Sequence, residues 1–167
     1  GMMWSKLKSR IEAGFADCVR GRVEVWSTRY RSAHDEAGEG WITIDKKRVH
    51  SMGTLSFYTA QNLRAAQGPV AESLTANERW EKAEDALAAE GGLPLYGFYE
   101  ALFEYLNLSI EDVLASEQMI IRAFRMFDKR LGKRRLLALD LREDHALVRS
   151  FHEIRCAWEG INPVSSA

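Results

Sequence analysis

His145, Arg149, His152 and Cys156 recur at steps of four, three and four, a spacing that lines them up on one face of a helix. Their types suit two chemistries. An imidazole nitrogen and a thiolate sulfur both bind zinc, so His152 and Cys156 at i, i+4 are candidate metal ligands. His152 is also placed to take a proton from Cys156, with Arg149 lowering the thiol pKa further, as in a catalytic thiol. The plain alternative is an outer helix face that happens to hold two histidines and a cysteine. One helical pair supplies two ligands where a structural zinc takes four. No second Cys/His cluster follows: Cys18 lies on an apolar stripe and reads as a small buried hydrophobe, and His34 and His50 are isolated in sequence. No oxyanion donor can be assigned either. The four residues stand as candidates, with no catalytic residue and no cofactor committed.

The element that must position them is the last helix, which Asp140 and Glu143 are expected to open and Gly160 and Pro163 to close. Leu147, Phe151, Ile154 and Trp158 form its opposite, core-facing stripe. Upstream lies a second candidate, for binding. From Arg122 to Arg135 the chain holds seven bases and one acid, although its net charge is only -1. From Glu72 to Glu117 it holds eleven acids and two bases. Charge sorted by segment sets local fields, and these decide which partners a surface attracts. Placed on one helix over 117–131, Ile120, Phe124, Phe127 and Leu131 face the core, and Arg122, Arg125 and Lys129 face solvent. Gly132 is expected to stop that helix, with Lys133, Arg134 and Arg135 favoured by the negative end of its dipole. Arg122, Arg125, Lys129, Lys133, Arg134 and Arg135 are thus candidate contacts for an anionic partner. The alternatives are solvation and pairing with the acidic helices of the same chain.

Other clusters are weaker. His34, Asp35, Glu36 and Glu39 read as a solvated hairpin tip, because they lack the spacing of a calcium loop. Phe98, Tyr99, Phe103 and Tyr105 read mainly as core. There is no GxGxxG, P-loop, HExxH, GxSxG or CxxC.

The pattern elsewhere sets the fold class. Trp4, Leu7, Ile11, Phe15 and Cys18 mark an N-terminal helix. Residues 23–30 and 41–45 alternate as strands, with a turn over His34–Gly40 and a short third strand from Val49. Residues 54–66 lean to helix, and Gly68-Pro69 reads as a loop. Thr75 and Glu78 fit a capping box before the stripe Trp80, Ala83 and Leu87. Gly91-Gly92 ends that helix, and Pro94 suits the first turn of the next, which carries Leu95, Phe98, Leu102, Phe103 and Leu106. Ser109 with Asp112 caps a short segment, and Ser116 another. The expectation is α+β: an N-terminal helix and a two- to three-stranded antiparallel sheet over about 2–60, packed on four to five helices over about 61–163.

The 167 residues are 46% hydrophobic and 28% charged, the profile of one globular domain over 2–163. Gly1 before Met2 and Met3 reads as a remnant of tag cleavage. No apolar run approaches the ~20 residues needed to cross a membrane. Two cysteines without an export signal point to reduced thiols and a cytoplasmic setting.

Three stretches, Met3-Trp4-Ser5-Lys6-Leu7-Lys8, Phe127 to Leu136, and Glu153-Ile154-Arg155 through Glu159-Gly160-Ile161, resemble a group of small bacterial hypothetical proteins of unknown function. The resemblance implies a bacterial cytosolic protein and transfers no catalytic residue. Charge sorting without a catalytic motif makes a non-catalytic protein-interaction module the leading expectation, with an unknown protein partner or self-association. Nucleic-acid binding through 122–135 is an alternative, although Phe124 and Phe127 point to the core and leave no aromatic for bases. An enzyme or metal site at the His145/Arg149/His152/Cys156 stripe is the other.

Overall fold

The structure is a computed structural model that describes residues 3–29, 38–66 and 74–163. His34, Asp35, Glu36 and the Gly68-Pro69 step lie outside the described residues. Helix α1 (Trp4–Ala13) buries Leu7 and Ile11. Its stripe was expected to continue to Cys18, but the helix stops at Gly14. Phe15 instead makes an antiparallel bridge with Asp128. The Ala16 N–H donates to the Phe127 carbonyl (2.8 Å) and the Lys129 N–H to the Gly14 carbonyl (2.9 Å). The beginning of the chain is therefore sewn to a segment far along it, and Phe15 stays in the core by that route.

Strands β1 (Val23–Arg29), β2 (Gly38–Ile44) and β3 (Lys47–Gly53) form an antiparallel sheet in that order. Val23, Val25 and Ile42 are fully buried on its inner face, as a period of two requires. Asp45 and Lys46 turn β2 into β3 with φ of 49° and 71°, the positive pair of a type I′ hairpin. Arg22 grips Asp45 through bonds of 2.9 and 2.8 Å. The outer edge of β1 is already occupied. The Val25 N–H donates to the Glu12 carboxylate (3.0 Å), and the Val25 carbonyl accepts from Lys8 (2.9 Å). Side chains of α1 thus stand where a further strand would pair.

Helices α2 (Thr54–Ala66) and α3 (Ala76–Ala89) form a hairpin. The Gln61 amide donates to the Trp80 carbonyl (3.0 Å) and ties them together. Thr75 caps α3 as expected, accepting from the Glu78 N–H at 3.2 Å. Helix α4 (Leu95–Asn107) lies against the sheet with Leu95, Phe98, Ala101, Leu102 and Tyr105 buried. A Cβ on Gly40 would come within 2.4 Å of the Phe98 ring, so glycine is what lets β2 approach this closely. Phe103, expected in the core, is 46% exposed. Pro94 occupies the cap position, one residue before the first turn expected for it. The α+β class and its order are as expected, with more and shorter helices in the second half.

That second half corrects two expectations. The basic segment is not one helix. Helix α6 (Met119–Phe124), which follows α5 (Ile110–Leu114), gives way to a 3-10 turn over Arg125–Phe127 and then to extended chain at Asp128. Pairing with Phe15 takes Asp128 out of helical geometry. Gly132 therefore starts the next helix, α7 (Lys133–Ala138), where it was expected to stop one. The last helix, α8 (Ala146–Glu159), begins later than Asp140 and Glu143, with His145 as its cap and Gly160 closing it at φ 70°.

Candidate functional site

The four-residue polar stripe does not face solvent as a unit. His145 caps α8, its Nδ1 accepting from the Leu147 N–H at 3.0 Å. Arg149 is exposed. His152 and Cys156 are buried, together with Val148, Phe151 and Arg155, while the expected core residues Leu147, Ile154 and Trp158 are only partly buried. The buried face of α8 is turned toward carbonyls of the 126–136 stretch that need donors. Arg155 supplies most of them. It donates to the carbonyls of Met126 (2.9 Å), Asp128 (3.1 Å) and Leu131 (2.8 Å), and its Nε pairs with Glu159 (2.9 Å). His152 Nε2 serves a fourth, the Leu136 carbonyl, at 2.7 Å.

This geometry decides what the His152–Cys156 pair can do. Cys156 Sγ lies 3.6 Å from His152 Nε2. That nitrogen must carry its proton to satisfy Leu136, so it has no lone pair with which to receive one from the thiol. Burial pushes the Cys156 thiol up, and the nearby Arg155 cation only partly opposes it. Cys18, expected as a buried hydrophobe, is half-buried and donates to the Glu159 carboxylate at 3.1 Å. Its thiol is also raised, by burial first and by Glu159 next. No group of three or more His, Cys, Asp or Glu among the described residues could hold a metal ion. His50 Nε2 donates to the Gly91 carbonyl at 2.9 Å, and His50 is not isolated in space: burial lowers its pKa, the bond to Gly91 opposes this, and the His145 charge adds to the lowering. The expected outcome for the thiols is slow chemistry. Iodoacetamide should alkylate native Cys156 at neutral pH at least about tenfold slower than a free cysteine; a rate equal to or above the free thiol would restore a nucleophile at this position.

The basic segment is largely paired. Arg122 and Arg125 both reach Asp144 (3.1 and 3.8 Å). Arg122 also donates to the Glu117 carbonyl (2.7 Å) and Arg125 to the Leu114 carbonyl (2.8 Å). Arg125, expected on a solvent-facing stripe, is buried. Arg130 pairs with Asp128 (2.8 Å) and Arg135 with Glu111 (3.6 Å). Only Glu111 comes from the acidic 72–117 stretch. Lys129, Lys133 and Arg134 are exposed, and Arg134 makes no ion pair among the described residues. Lys133 and Arg134 open α7, at the positive end of its dipole, while Arg135 falls in the last turn of this six-residue helix. A base in the first turn is disfavoured by about 0.3–1 kcal/mol, the reverse of the expected stabilisation.

The acidic stretch contributes a concave surface that residue spacing did not reveal. Between α3 and α4 lies a cleft of about 230 Å³. Phe57, Leu93, Pro94, Tyr96 and Ala101 give it apolar walls, and Glu84, Asp85, Glu100 and Glu104 line it with four carboxylates and no base. The Tyr96 phenol is pushed up to about 12 by burial, by its hydrogen bond to Tyr58, and by the fields of Glu84 and Glu100. A second hollow, of about 370 Å³, is wide open, and both its arginines, Arg122 and Arg142, are held by carboxylates.

A family model described as the SF0329 protein family matches residues 3–156. The chain belongs to that family. The match takes in the sewn junction at Phe15 and Asp128, the cleft, α7 and most of α8. No curated protein and no solved structure matches the chain.

Proposed function

We propose that this SF0329 family member is a non-catalytic protein-interaction module that receives a basic, apolar-tipped segment of a protein partner between α3 and α4. The observation that carries the reading is the cleft itself: apolar walls that gain by leaving water, and four carboxylates with no base among the lining residues. The enzyme alternative loses support because His152 Nε2 is committed to Leu136 and the thiol is raised. The nucleic-acid alternative loses support because four of the seven bases are paired within the chain. A bacterial, cytoplasmic setting belongs to the same reading. It is supported by two free thiols and by the resemblance noted above. No helix among the described residues is long and apolar enough to cross a membrane.

The test uses a fluorescent peptide of alternating lysine and leucine. Its anisotropy should rise on titration with the chain, and the rise should shrink in high salt and in Glu84→Lys with Glu100→Lys. A glutamate-leucine peptide should not bind. Equal binding of both peptides, or binding indifferent to the two reversals, would overturn the reading.

A further inference from the structure

The cleft has a complement on another element of the same chain. Lys133, Arg134 and Leu137 share one face of α7, because positions three and four apart are neighbours on a helix. Lys133 and Arg134 are exposed, and Leu137 is 46% exposed although it is a large apolar side chain. The opposite face of α7 anchors it through the fully buried Leu136, and α7 packs on α8. The result is an apolar tip flanked by two bases. The cleft offers the reverse, apolar walls with Glu84, Asp85, Glu100 and Glu104 around them. The bases also sit in a first helical turn, where the peptide dipole repels them, so approaching carboxylates relieve a repulsion built into the monomer. Those carboxylates are not gathered tightly enough to hold one metal ion. Spread around a mouth, they suit a charge distributed over two side chains.

We infer that the cleft between α3 and α4 binds α7 of a second copy of this chain, with Leu137 seated on the apolar walls and Lys133 and Arg134 against Glu84, Asp85, Glu100 and Glu104. The inference rests on the interaction reading above and names its partner. The contact joins two different faces, so it either closes as a reciprocal pair or repeats from copy to copy.

Sedimentation velocity of the full chain at low and high salt tests it, using two double reversals, Glu84→Lys with Glu100→Lys and Lys133→Glu with Arg134→Glu. Wild type should associate as concentration rises and less so in high salt. Each double reversal alone should raise the dissociation constant at least about tenfold. An equimolar mixture of the two should associate again, because each then offers the other a complementary surface. A misfolded variant could not produce that rescue. A wild type that stays monomeric, or a mixture that stays as dissociated as its components, would overturn the inference. If the monomeric chain still takes up the lysine-leucine peptide through the cleft, the interaction reading survives and only the second copy is wrong. If it takes up neither, both fall.

Discussion

Arg155→Leu should cost the chain about 3–5 kcal/mol, a large part of the ~5–15 kcal/mol that holds a typical domain folded. Arg155 is 2% exposed. Its guanidinium donates to three carbonyls, of Met126, Asp128 and Leu131, while its Nε holds Glu159. Leucine fills much of the space and leaves those carbonyls without donors and the carboxylate without its closest cation. Each buried group so stranded costs about 1–3 kcal/mol. Arg155→Lys keeps the charge but offers no planar fork, so it should recover less than half of the loss. Urea denaturation of the three proteins measures both effects. A loss below about 1 kcal/mol for Arg155→Leu would show that the 126–131 segment is held by other means.

The second large effect concerns Asp128. Burial by itself would raise its carboxyl, but Arg130 and the Tyr105 hydroxyl hold the pKa below the usual aspartate range. Asp144 is held down in the same way, by Arg122 and the His145 N–H against its own burial. A carboxylate whose folded pKa is depressed contributes stability that is fully present above its unfolded pKa, near 3.9. That stability is lost as pH falls through the lower, folded value. Asp128→Asn should therefore cost about 3 kcal/mol at pH 7. The gap from wild type should stay constant down to about pH 5 and narrow steadily below about pH 4. Denaturation at a series of pH values reads this directly. A gap that is the same at pH 3 as at pH 7 would mean that the charge of Asp128 is not what matters.

Much of the fold was legible, and the parts that were not share one cause. The β1–β3 hairpins follow from alternation and turn residues, and the caps at Thr75 and Ser109 from local chemistry. These are short-range signals. The break at Asp128 is long-range: nothing near residue 128 says that Phe15 will pair with it and end the helical course. From that break the other differences follow in order. Gly132 starts a helix instead of stopping one, and Lys133 and Arg134 open a helix instead of closing one. The rotation of α8 is long-range as well, since His152 and Arg155 turn inward to serve the carbonyls of Leu136, Met126, Asp128 and Leu131, far from them in sequence. The acid-rimmed cleft was invisible for another reason. Its residues come from α2, α3, the α3–α4 connection, α4 and the cap of α6, and no spacing rule joins them. The charge sorting did point to the acidic stretch, but as a partner for the basic one inside the same molecule.

The seam between the first and last parts of the chain has a consequence for biosynthesis. Phe15 waits for Asp128, and Cys18 waits for Glu159, 141 positions later. At translation rates of about 5–20 residues per second, that wait is on the order of ten seconds. For the first part of that wait, until α4 has been made, the apolar inner face of β1–β3, with Val23, Val25 and Ile42, lacks the helix that packs against it. The nascent chain is therefore stickiest early, and Glu12 and Lys8 at the edge of β1 guard the one flank they can reach before the helices arrive.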